Sequence, residues 1–230
     1  MTISASSNPL SMLLDIFRSP TSCFLALYQR GLWGWQPFIV LMITPFLFWG
    51  SYFDLVDFEW LKTGLMQQMP AAAAEQLSHI NANALMATEI ITDTVGRLVA
   101  ILMLGLWFLL ATKSSEHQHG YWRWVAASSA ILFPAVLGDI ASYVSLVLNH
   151  GQVMTYAADL NTLNGLIKLP MDHHWSEFAR SLPLLMPWYI VLGYAAVGAW
   201  TTLERGQALA IAALPWVGYY LAWGLYLAFT

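Results

Sequence analysis

Charged residues are scarce in this sequence. Among its 230 residues are nine Lys and Arg and thirteen Asp and Glu, 10% in all, where an ordinary soluble domain carries about 25%. So few charges cannot cover a globule bathed in water, and nothing in the chain resembles a soluble enzyme. Basic residues are fewer than acidic ones, the formal net charge is −4, and no basic stripe occurs; nucleic acid is therefore excluded as a partner. There is a single cysteine, Cys23, which rules out an internal disulfide and leaves the redox compartment open. Residues 1–9 carry no charged side chain, and no A-x-A site follows a short apolar core there. A cleavable signal peptide is not expected, and the first spanning helix should act as the insertion signal. Also missing are G-x-S-x-G, P-loop and dinucleotide fingerprints.

Apolar residues dominate instead. They make up 58% of the chain, with twelve Trp and ten Tyr, and the mean hydropathy is +0.57. Amphipathic rings favour membrane–water boundaries, and a spanning helix needs about 20 mostly apolar residues. Five stretches qualify, at about residues 37–53, 94–112, 124–148, 184–203 and 208–229. The expected fold is all-α: a polytopic membrane protein, a bundle of five transmembrane helices with short amphipathic interfacial helices. Residues 1–35 form a cytoplasmic, interfacial segment and residues 36–230 the transmembrane domain. Pro45, Pro134, Pro187 and Pro215 are candidate kinks.

Two short pieces precede the first span. Leu10, Leu13, Leu14 and Phe17 recur at helical spacing, Ser19-Pro20-Thr21 interrupts, and Phe24, Leu25, Leu27 and Tyr28 follow. Neither can span; they either lie in the interface or pack on the cytoplasmic end of the bundle. Two polar loops remain. In the first, residues 71–90 should be helical. In the second, Leu160, Leu163, Leu166 and Ile167 form one helical face, with Asp159 or Asn161 as its cap. Basic residues set the orientation. Arg18, Arg30, Lys113, Arg123 and Arg205 fall on one side in short segments. Lys62, Lys168 and Arg180 fall on the other, and Arg97 lies inside the second span. The N-terminus is thus expected in the cytoplasm and the C-terminus in the periplasm of a bacterial inner membrane.

Ionisable residues within spans are costly and so are candidates for function. Asp139 lies well inside the third span. Glu89, Asp93 and Arg97 are four apart and share one helix face near the start of the second. One reading is a polar site in which Asp139 faces Arg97; the simpler one is an ion pair that fixes helix register. Asp172, His173, His174 and Glu177 form another cluster. On a helix, His173 and Glu177 would share a face and could hold a divalent metal. The spacing matches no zinc signature, and a solvated loop whose helix is capped by Asp172 is the preferred reading. His117 and His119 beside Glu116 read as an exposed turn. Ala195 and Ala199, beside Gly198, give the fourth span a small surface for close packing. No catalytic residue and no cofactor is expected.

The segment DLNTLNGLIKL and the stretch SLPLLMPWYIVLGYAAVGAWTTLERGQALAIAALPW together resemble the Yip1-domain membrane proteins in their bacterial form. The resemblance rests on the aromatic lead Trp188 and Tyr189, the small residues Gly193, Ala195 and Gly198, the turn at residues 201–206 and the Ala-rich last helix. The N-terminal FRSPTSCFLAL is similar to that family's pre-membrane segment. The resemblance implies five spans, a cytoplasmic N-terminus and an external C-terminus. Eukaryotic members associate with small GTPases and vesicle machinery, a role that does not carry over to a bacterial member, and the family offers no catalytic residues to transfer. The expected function is non-enzymatic: organising the lipid bilayer or membrane-protein partners, homo-oligomers included. The alternatives are a small-solute or ion transporter or channel that uses Asp139, Asp93 and Arg97, and a membrane-embedded metal-dependent enzyme.

Overall fold

Apolar runs and local capping chemistry account for most of the helices. A computed structural model describes residues 4–229; residues 1–3 of the expected N-terminal segment and Thr230 lie outside the described residues. In chain order the helices are α1 (Pro9–Arg18), α2 (Pro20–Gln29), α3 (Trp35–Leu55), α4 (Phe58–Met66), α5 (Ala71–Ser78), α6 (Ala82–Ala111) and α7 (Tyr121–Leu132). They continue with α8 (Ala135–Leu148), α9 (Thr155–Ala158), α10 (Leu163–Ile167), α11 (Ser176–Ser181), α12 (Met186–Trp200) and α13 (Arg205–Phe229). A 3-10 turn, Gly31–Gly34, leads into α3. No strand occurs among the described residues, apart from an isolated bridge between Thr162 and Pro183.

Helix starts follow from short polar side chains. Asn8 opens α1 in a reciprocal capping box with Ser11. Pro20 occupies the first turn of α2, where its missing N–H costs nothing. Asp57 accepts hydrogen bonds from the backbone N–H groups of Glu59 and Trp60 at the start of α4. Asn81 does the same for Ala84 and separates α5 from α6, so the helix expected over residues 71–90 is two helices. Lys62 Nζ donates to Ser78 O at 2.6 Å, placing a cation on the carbonyl end of α5.

Four segments are long and apolar enough to cross a bilayer: Gly31–Leu55, Ala82–Ala111, Tyr121–Leu148 and Arg205–Phe229. Their surfaces invert the usual polarity. On α6, Ile91, Val95, Val99, Met103 and Leu110 are each at least 50% exposed, while Glu89, Asp93 and Arg97 are half-buried and Ile101, Leu104 and Phe108 are buried. Water would favour the opposite arrangement; an apolar solvent favours this one. On α13 the buried residues are Ala208 and Ala212, while Leu209, Leu214, Leu221 and Leu225 face outward.

Three expectations change. The second span begins at Ala82 rather than near residue 94, because the charged residues on it turn to the buried side and the helix runs on through them. The stretch at 184–203 is not among the four long segments: α12 has 15 residues, about 22 Å at about 1.5 Å per residue. It is cut short by the Thr162–Pro183 bridge before it and by extended backbone after Trp200. Among the prolines, Pro187 sits in the first turn of α12 and bends nothing, Pro134 separates α7 from α8, and Pro45 and Pro215 lie inside α3 and α13.

The chain divides into two units. The first takes in the described residues through Met42, then Gly96–Pro134 and Leu185–Ala222. Here α2 packs on α12 and on α1, burying Cys23, Phe24, Ala26 and Leu27. Close approaches use glycine: a Cβ on Gly34 would collide with Ala126, one on Gly105 would crowd Val125, and one on Gly193 would crowd Ala212 and Phe108. Gly193 and Ala196 therefore form the small packing face of α12, whereas Gly198 is exposed and has open space around it. The second unit takes in Ile43–Val95, Ala135–Leu184 and the described residues from Trp223 on. Phe48, Trp49, Tyr52, Leu61, Leu65 and Leu146 belong to its core.

Candidate functional site

The second unit collects buried polar side chains around its long loop. On α8, Gly138, Asp139, Ser142 and Leu146 form the buried face. Asn161 Nδ2 donates to Asp139 Oδ1 at 2.8 Å, and Ser142 Oγ accepts from the backbone N–H of Leu160 at 2.8 Å. A side chain at residue 138 would strike the Asn161 carboxamide, so glycine is what lets the loop reach the helix. Asn161 Oδ1 is buried without a hydrogen-bond partner among the described residues. Asp139, singled out as an intramembrane acid, thus holds a loop residue 22 positions away in the chain.

Asn164 closes the same loop. It is fully buried; its Nδ2 donates to Tyr156 O at 2.9 Å and Leu169 O at 3.2 Å, and its Oδ1 accepts from Leu169 N at 2.9 Å. Tyr52 OH donates to Val153 O at 2.5 Å, and Gln68 Nε2 donates to Tyr156 OH at 3.1 Å. The bonds of Asn164 and Tyr52 satisfy backbone that no helix satisfies. The expected cap of α10 does not form: Thr162 occupies that position without a side-chain bond, and Asp159 Oδ1 instead accepts from Asn161 N at 2.8 Å. The helical face expected from Leu160 onward is therefore shorter, Leu163–Ile167.

Glu89, Asp93 and Arg97 lie on one face of α6, as their spacing requires. Trp49 Nε1 donates to Asp93 Oδ2 at 3.3 Å. The unit boundary falls between Val95 and Gly96, which leaves Arg97 in the first unit and Asp93 and Asp139 in the second.

The cluster at residues 172–177 is arranged differently from the expectation. The helix there is Ser176–Ser181 with Trp175 at its cap position, so Asp172 caps nothing and His173 precedes the helix that carries Glu177. His173 Nδ1 accepts from Trp175 N at 3.1 Å, His174 Nε2 meets Leu227 O at 3.0 Å, and Glu177 pairs with Arg180 at 3.3 Å. Among the described residues no three His, Cys, Asp or Glu side chains gather in a way that could hold a metal.

His119, read from sequence as part of an exposed turn, is half-buried in the first unit. Its Nε2 meets Trp200 O at 2.7 Å, and its ring lies edge-on to Tyr28 at 5.5 Å, with Trp200 at 5.4 Å. Trp200 Nε1 donates to Phe24 O at 2.7 Å, and Trp124 stacks on Phe108 at 5.2 Å. The cluster ties α2, α7 and α12 together. The signal in sequence was faint: a histidine at the end of a polar turn, with Tyr121 and Trp122 soon after it.

The family model for the Yip1 domain matches residues 14–226. No curated protein and no solved structure matches the chain.

Proposed function

This chain belongs to the Yip1-domain family, and from that premise we propose that it is a non-enzymatic, five-span protein of a bacterial inner membrane that organises lipid or membrane-protein partners. The observation that carries this reading is the inverted polarity of α6, apolar outside and charged inside. The polar groups of the second unit support it too, because Asp139, Ser142 and Asn164 hold loop backbone or loop side chains. In the proposal α12 is the fifth span, shortened but apolar throughout, and α1 and α2 lie at the cytoplasmic interface. Topology reporters fused in turn to the two termini test it. Five spans place the termini on opposite sides; reporters on the same side would leave four spans and remove α12 as a crossing.

A second reading, a transporter or channel, draws on the half-buried charges Glu89, Asp93 and Arg97 on α6 and on the buried Asp139 of α8. Its test is solute or ion flux in proteoliposomes. Flux abolished by Asp139→Asn supports it, and flux unchanged by that substitution removes it. The metal-dependent enzyme stands last, because His173 and Glu177 do not share a helix face.

A further inference from the structure

We propose that a groove in the first unit holds one acyl chain of an anionic phospholipid, with its phosphate on the Arg123 guanidinium. The groove encloses about 610 Å³, within the roughly 300–1,000 Å³ typical of small-molecule sites. Its walls include Leu32, Trp35, Phe38, Leu98, Leu102 and Ala126. Ser129 also lines it, but its hydroxyl is already committed to Val125 O at 3.0 Å. The interior therefore offers an occupant apolar contact and little else. Two glycine contacts build it in advance: Gly34 lies against Ala126 and Gly105 against Val125, so neither wall must move to form the cleft.

Charge defines the other end of the occupant. Arg123 is the one charged residue lining the groove. It is exposed in the first turn of α7, next to Trp122 at 72% exposure. Its guanidinium sits 5.8 Å from the Tyr28 ring centroid, and no carboxylate pairs with it among the described residues. Lys and Arg outnumber Asp and Glu in this unit: Arg18, Arg30, Arg97, Lys113, Arg123 and Arg205 against Asp15, Glu116 and Glu204. A guanidinium is suited to bidentate contact with phosphate, and Trp and Tyr mark headgroup depth. From that depth the groove runs inward to Leu98, seven residues before Gly105, which lies against Val125, about 10 Å along the helix. An acyl chain with an anionic headgroup matches both ends; a soluble anion would leave the apolar walls uncovered.

The inference rests on membrane residence, not on the organising role or on the count of spans, so reporters that indicated four spans would leave it standing. The test is native mass spectrometry of the delipidated full chain with phosphatidylglycerol, phosphatidylcholine and palmitate, for wild type, Arg123→Gln and Leu98→Trp. Phosphatidylglycerol should bind about tenfold more tightly than phosphatidylcholine. Arg123→Gln should erase that preference, and Leu98→Trp should lower occupancy by both lipids. Equal binding of the two lipids to wild type, a preference that survives Arg123→Gln, or binding of palmitate in place of phospholipid would overturn it. Should Leu98→Trp not fold, phosphatidylglycerol with a photoreactive acyl chain decides the matter on the wild type. Crosslinks at residues 31–38, 98–102 and 122–129 support the groove, and crosslinks confined to the outer faces of α6 and α13 refute it.

Discussion

The two units of this chain are held together by different means. The first joins helix to helix: glycines at residues 34, 105 and 193 bring backbones close, the rings of Phe108, Trp124 and Trp200 fill the space between helices, and Trp200 Nε1 donates to Phe24 O. The second is cohesive through hydrogen bonds from buried side chains to loop backbone. Charge differs as well. The second unit holds Lys62, Lys168 and Arg180 against ten acids that include Asp54, Asp57, Glu59, Glu75, Glu89, Asp93 and Asp139, the reverse of the basic excess in the first. The contrast follows from backbone. A helix satisfies its own N–H and C=O groups, so helix-rich packing relies mainly on close contact. A folded loop does not, and each buried group it leaves must find a side chain.

If that is right, the most damaging substitution is in the loop clasp. Asn164→Leu strands two carbonyls and one N–H, and should cost roughly 3–9 kcal/mol at about 1–3 kcal/mol for each unsatisfied group. Asn149→Ala, at an exposed asparagine bonded to Ser145 O, should cost little. Unfolding by denaturant in detergent compares them, and an equal loss in both would mean that the buried loop clasp is not what holds the second unit. Next in size is the shape term. Gly34→Ala drives a Cβ into Ala126 and should cost about 1–3 kcal/mol, and adding Ala126→Gly should recover part of it. No recovery in the double variant would mean that close approach is not what holds the first unit.

The smallest effect concerns Cys23, buried in α2. Burial, and secondarily the Asp15 carboxylate, pushes its thiol up to about 12. Because only the thiolate reacts, maleimide labelling of folded protein should stay slow from pH 7 to pH 9. In the unfolded chain the rate should rise about tenfold per unit toward the ordinary thiol value of about 8.5. Rapid labelling of folded protein at pH 7 would show that α2 is not packed on α12.

Run length alone made α3, α6, the α7–α8 segment and α13 readable, because about 20 apolar residues can avoid water only as a helix in lipid. Pro20 and the helical spacing around it likewise marked α1 and α2. The edges were harder. Glu89 and Asp93 looked like the end of a polar loop, yet a helix tolerates charge on whichever face is turned away from lipid. The shortness of α12 depends on Thr162 meeting Pro183, which local pattern does not display.

The candidate site divides along the same line. That Asp139 lies within a span, and that Glu89, Asp93 and Arg97 share a face, followed from position and a period of about 3.6 residues. That Asn161 bonds Asp139, that Asn164 ties Tyr156 to Leu169, and that His119 enters an aromatic cluster with Trp200 did not. Solvent class and helix period are local properties, carried by each stretch of residues on its own. Which buried donor meets which acceptor depends on segments far apart in the chain being packed together, and no single stretch holds that information.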